Sequence, residues 1–85
     1  MKDSELIEIV KGVLEKIVVS IVDKPELVQV VHSAGDQIIV FSIRCDKSDR
    51  GKVIGREGRM AVSLRNIINA LSAKYKFKCL LEIEK

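Results

Sequence analysis

The stretch GKVIGREGRM, Gly51 to Met60, places three glycines within eight residues and sets them among the cationic side chains of Arg50, Lys52, Arg56 and Arg59. Backbone freedom and positive charge coincide there. Two readings follow. The stretch is a plain turn between two helices, in which Gly55 ends the first as a left-handed residue and Gly58 begins the second. Or it is a place where backbone amides closely approach an anion. Known phosphate loops do not match. A P-loop needs G-x-x-x-x-G-K-[ST], but Gly58 is followed by Arg59-Met60. A dinucleotide fingerprint needs G-x-G-x-x-G, and Gly51 and Gly55 are four apart.

The charge around the loop favours the second reading. Residues 44–65 hold seven basic groups (Arg44, Lys47, Arg50, Lys52, Arg56, Arg59, Arg65) against three acidic ones (Asp46, Asp49, Glu57). That is +4 in a chain whose net charge is +3, so the whole positive excess lies in the segment carrying the glycines. A concentrated positive patch is the electrostatic footprint of a phosphate-bearing partner.

Outward from the loop, the hydrophobic spacing predicts the elements. Residues 4–21 read as an amphipathic helix: Leu6, Ile7, Val10, Leu14, Ile17, Val18 and Ile21 recur at three- and four-residue intervals. Asp3 or Ser4 is placed to cap it, Gly12 weakens it, and Asp23-Lys-Pro25 ends it, since proline disfavours helical backbone just before it. Leu27 to Ser33 and Gln37 to Cys45 predict a hairpin turned by Ala34-Gly35-Asp36. In its second strand Ile39, Phe41, Ile43 and Cys45 form the expected core face. Ser48 or Asp49 is expected to cap a short helix over 50–54. A longer helix follows Gly58 and ends near Lys74, with an apolar stripe of Met60, Ala61, Leu64, Ile67, Ile68 and Leu71. Phe77, Cys79, Leu81 and Ile83 alternate as a final strand, with Leu80 breaking the pattern. The order α-β-β-α-α-β predicts a two-layer α+β domain, with a parallel strand pair closed by the helical crossover.

At 85 residues this is one domain, and 47% hydrophobic content suffices for a core. Cys45 and Cys79 lack C-x-x-C spacing and have a single histidine, His32, in the chain to join them. Reduced core cysteines are expected, with neither metal nor cofactor. No catalytic set assembles: Glu57 is the lone carboxylate in the glycine loop, His32 has no nucleophile, and Ser63 has no base nearby. A non-enzyme is expected. With no signal peptide and no long apolar run, the expected setting is the cytoplasm, away from membranes.

The ten residues 51–60, with the elements around them, resemble the signature of the KH RNA-binding domain: an apolar pair, G-x-x-G, then a helix with an apolar residue near its start. The element order resembles the type II, bacterial form. The whole chain is similar to small stand-alone bacterial KH proteins of the KhpA (YlqC-like) kind. The resemblance implies a three-stranded mixed sheet with helices packed on one face. A helix–strand extension (about 4–33) would precede a core (about 37–84). It implies single-stranded RNA, or single-stranded DNA, held in a groove with the loop clamping the backbone of about four nucleotides. Carried onto this sequence, Gly55 and Gly58 allow close approach, Arg56 and Glu57 are the exposed loop pair, and Lys52 and Arg59 neutralise phosphates. Ile54 is either an apolar groove wall or a core residue, and Met60 stands where the family often has Ile. Glu57 opposes phosphate. With one Tyr and two Phe there is no stacking platform. The resemblance further implies a post-transcriptional regulator or RNA chaperone acting as a homodimer, or as a heterodimer with another KH-containing protein. The alternative is a protein-interaction adaptor that uses the same surface for docking or dimerisation.

Overall fold

A computed structural model describes residues 3–84. The elements run α1 (Asp3–Ile21), β1 (Gln29–Ala34), β2 (Ile38–Arg44), α2 (Arg50–Ile54), α3 (Arg59–Ser72) and β3 (Lys78–Ile83). Short 3-10 turns separate several of them: Pro25–Leu27, Lys47–Asp49, Arg56–Gly58 and Ala73–Tyr75. The sheet order is β1-β2-β3. β1 and β2 are antiparallel, with Val30 opposite Ile43 and His32 opposite Phe41. β2 and β3 are parallel, with Ile39 opposite Cys79 and Phe41 opposite Leu81. This is the expected α+β architecture with a mixed sheet.

The core forms where strand alternation meets helical spacing. Leu6, Val10, Leu14 and Val18 of α1 and Leu64 and Ile68 of α3 are buried. They cover Ile39, Phe41 and Ile43 of β2 and Cys79 and Leu81 of β3. Each fully buried aliphatic side chain contributes about 1.5–3 kcal/mol relative to exposure. α1 packs over β1 and α3 over β3. The other sheet face has no helix, and Ile38 and Leu80 stand exposed on it.

The structure corrects several local expectations. Leu27 belongs to the turn begun by Pro25 rather than to β1. Ser4 lies inside α1 and is exposed; the capping side chain of Asp3 falls outside the described residues. Ile67, placed in the apolar stripe of α3, is exposed, because the stripe is narrower than its spacing suggested: Ala61, Leu64 and Ile68 fill the seam. In the hairpin the positive φ falls on Gln37, while Gly35 N–H donates to Ile38 O. Cys45 and Cys79 are free thiols. Although β2 and β3 are neighbours, Cys79 faces Ile39, six residues from Cys45 along the strand. Burial raises both thiols above their ordinary pKa, with Asp49 adding to the effect at Cys45, so both are poor nucleophiles.

Neither expected residue caps α2. Asp46 instead caps the preceding 3-10 turn, accepting from Ser48 Oγ and Ser48 N. Those bonds, from the hydroxyl and then the amide, hold the Asp46 carboxyl below its usual value. A depressed carboxyl stabilises the fold above the unfolded value, and the contribution is lost as pH falls through the folded one. Asp49 occupies the N-cap position of α2 without bonding to it. Its carboxylate is fully buried and turns the other way, accepting from Asp23 N and Lys24 N, both at 3.0 Å. Lys52 reaches Asp23 Oδ2 at 3.1 Å and Asp49 Oδ1 at 3.9 Å. Asp49 thus ties the end of α1 to the start of α2 across 26 residues of sequence. Replacing it with alanine orphans two amides; Asp49→Ala should lower the unfolding free energy by about 2–3 kcal/mol in urea titrations.

Candidate nucleic-acid interface

The glycine loop is a corner between α2 and α3. Gly55 has φ +83° and ψ 169°, and its N–H donates to Gly51 O at 2.8 Å, closing α2. Glu57 (φ 56°, ψ 27°) and Gly58 (φ 76°, ψ 11°) are both left-handed. Gly58 N–H donates to Gly55 O at 3.1 Å, and Arg59 N–H to Arg56 O. No hydrogen bond among the described residues takes up the amides of Arg56 and Glu57. Two unpartnered donors therefore sit at the tip of the corner, beside the positive end of α3.

The two glycines have different reasons to be there. A Cβ on Gly55 would lie 2.6 Å from both Cβ and N of Met60. Its missing side chain serves the close packing of α2 against α3, not the approach of a ligand. A Cβ on Gly58 would meet nothing within 4 Å. Gly58 borders open space, so of the pair it is the one past which a ligand backbone can come close. Glu57 bears the strain of a left-handed non-glycine residue, about 1 kcal/mol.

The predicted cations are not equally available. Lys52 is committed to Asp23 and Asp49. Arg59 Nη2 lies 3.6 Å from Glu57 Oε1, both exposed, so that carboxylate is partly neutralised from within the loop. Arg56 forms no ion pair among the described residues. Of the apolar pair before the loop, Val53 is fully buried while Ile54 is 37% exposed, which resolves the alternative for Ile54: it is a surface residue beside the loop.

A second feature was not legible as a site in the sequence. Beside the unpaired edge of β3 lies a cleft of about 520 Å³ whose lining includes Arg65, Ile68 and Asn69 of α3, Val40 of β2, and Lys78 and Leu80 of β3. Clefts of about 300–1,000 Å³ are the usual size for ligand sites. Leu80 is 44% exposed here, which accounts for its departure from the alternation of the last strand. Arg65 and Asn69 are four apart on α3 and so share a face. That helix connects the two features. It begins at the loop and, at 1.5 Å per residue, carries Arg65 about 9 Å and Asn69 about 15 Å from Arg59.

Comparison with known proteins bears on this geometry. Residues 11–83 match the family model described as KhpA/KhpB, KH domain. The chain belongs to the KhpA/KhpB KH-domain family. Its helix and strand ahead of the core give it the type II arrangement. Among curated members, the RNA-binding protein KhpA of Clostridium acetobutylicum is 40% identical over 73 residues, 86% of this chain and 97% of that protein. The RNA-binding protein KhpA of Borreliella burgdorferi is 39% identical, covering 82% of this chain and 85% of its own. That of Aquifex aeolicus is 36% identical over 86% of this chain and 92% of that protein. No solved structure matches the chain significantly. The KhpA/KhpB family is non-enzymatic. Among the described residues no helix is long and apolar enough to cross a membrane.

The unequal glycines generate a stability test. Gly55→Ala forces Met60 off the corner and should lower the melting temperature of this KH domain by roughly 10 °C or prevent folding, as expected for a clash worth about 2 kcal/mol or more. Gly58→Ala incurs only the left-handed penalty of about 1 kcal/mol and should melt within about 4–8 °C of the parent. Differential scanning calorimetry of the two variants reads the difference directly.

Proposed function

We propose that this chain is a non-catalytic binder of single-stranded RNA. The strand's backbone is clamped at the Gly55–Gly58 loop and its bases are led along α3 into the cleft beside β3. One observation carries the reading: a single helix starts at two unpartnered loop amides and an unpaired Arg56, and its far half lines an open, largely apolar cleft. Relatives named as RNA-binding proteins support RNA as the ligand. The fold acts here as a single KH unit over residues 1–85, in which the extension before residue 37 braces the core. Arg56 supplies the free charge, Gly58 the close approach, and Arg59 divides its charge between Glu57 and phosphate. Lys52 acts from one step back, bracing α2 while adding to the field. Ile54 forms an apolar shoulder of the groove. Single-stranded DNA would fit the same clamp, since the loop reads phosphate rather than sugar.

One such unit contacts few nucleotides, so useful affinity calls for two units on one RNA. Pairing with a second copy, or with another KH-containing protein, supplies it without new contacts per unit. The role that follows is that of a cytoplasmic post-transcriptional regulator or RNA chaperone. Use of the same surface for protein docking is the competing reading, favoured by Glu57 and by the commitment of Lys52 to internal ion pairs.

Salt and substitution separate the two. Arg56→Asp combined with Glu57→Asp should abolish retention of a single-stranded RNA in mobility-shift assays while leaving the melting curve nearly unchanged, because both side chains are exposed. Arg56→Ala should weaken binding evenly across RNA sequences and reduce the slope of log affinity against log salt by about 1. Undiminished RNA affinity in the double variant would remove the loop from the binding site and leave docking as the better reading.

A further inference from the structure

The outward face of α1 carries a pattern that RNA binding does not use. Gly12 lies at its centre, exposed, with nothing within 4 Å of where a Cβ would stand. Two shallow grooves meet there. One is lined by Ile9, Val13 and Ile17, and the other by Val19, Pro25 and Val28; Gly12 and Lys16 border both. Ile9 and Val19 are exposed, although they belong to a helix that buries Leu6, Val10, Leu14 and Val18 on its opposite side. A glycine at mid-helix costs stability relative to any ordinary helix former, and nothing within this chain needs the space it leaves.

Charge states what fits that space. Glu8 and Lys16 flank Gly12 at four residues on either side, and neither forms an ion pair among the described residues. Residues 8, 12 and 16 make one ridge of the i±4 kind, negative at one end, empty in the middle and positive at the other. In the commonest class of helix crossing, at about −50°, such ridges of two helices align. If the partner is the same ridge related by a two-fold axis at Gly12, each Glu8 meets the other copy's Lys16. The two glycines allow close backbone approach, and the flanking valines and isoleucine fill the grooves.

We infer that the Gly12 face of α1 is the surface on which two copies of this chain pair, crossing antiparallel with reciprocal Glu8–Lys16 ion pairs. This deepens, and in part rests on, the proposal that two KH units share one RNA. α1 covers β1, whereas α3 and the cleft lie at the β3 edge. A pair joined through α1 therefore keeps both clefts and both glycine loops open.

Sedimentation equilibrium of the purified chain without RNA tests it. The parent should show a concentration-dependent dimer. Glu8→Lys alone and Lys16→Glu alone should each weaken the dimer about tenfold or more, since each places like charges opposite one another. Mixed in equal amounts, the two variants should pair again. The lysine introduced at position 8 of one copy then faces the glutamate introduced at position 16 of the other, and the unchanged Lys16 of the first faces the unchanged Glu8 of the second. Gly12→Gln should block pairing while circular dichroism shows helix content equal to or above the parent. A dimer insensitive to all of these changes would overturn the α1 surface and leave pairing by another face intact. A parent that stays monomeric at every concentration would overturn the inference and self-pairing together, while the loop variants would still report on RNA binding by single units.

Discussion

At the corner between α2 and α3 the protein backbone occupies the volume that a side chain on residue 55 would need, 2.6 Å from the Cβ and amide of Met60. That close approach sets how the two helices meet. It forces φ +83° at Gly55 and left-handed backbone at Glu57 and Gly58, so the chain reverses in four residues. The amides at the tip of so tight a reversal cannot find acceptors within the helices on either side. The unpartnered donors of Arg56 and Glu57 are a consequence of the packing, and the candidate function is built on them.

The corner is held from behind by polar groups in the core. Asp49, with no exposed surface, fastens the amides of Asp23 and Lys24 and stands close to Lys52. A buried carboxylate is costly unless its acceptor sites are filled, and here two backbone donors and one ammonium attend it. The result is a brace from the end of α1 to the first turn of α2, one helix away from the loop. Much of the positive excess seen in the sequence is spent in such bracing: Lys52 on Asp23 and Asp49, Arg44 on Glu84 at 2.9 Å, Lys24 on Asp46 at 3.7 Å. Charge counted along a chain measures the field, not the number of cations free to meet a phosphate.

The sheet contributes an edge. Because β3 lies outermost and runs parallel to β2, the chain must cross over through α2 and α3 to reach it, and α3 comes to lie over it. The gap between that helix and the unpaired strand edge is the cleft. Its polar lining, Arg65 and Asn69, comes from the helix face turned from the core, while Leu80 and Val40 come from the strand face that no helix covers. A groove between a helix and an edge strand offers side chains from one wall and unpaired backbone groups from the other.

Periodicity alone was enough for the helices, the hairpin, the core strand faces and the last strand, because three-to-four and two-residue spacings are local properties of a chain that buries one face of each element. The G-x-x-G motif with its flanks was enough for the family. What spacing could not show was which polar residues would be taken by internal partners. Asp49 looks like a helix cap in sequence, but its partners lie 25 and 26 residues away. Gly55 and Gly58 look equivalent, yet one is filled by Met60 and the other faces open space. Ile67 fits the apolar stripe of α3 but falls outside the seam, and Arg65, Asn69 and Leu80 become one cleft only when crossover topology sets α3 beside β3. Elements are written in neighbours along the chain; sites are made by residues distant in sequence and adjacent in space, and only the folded packing brings those together.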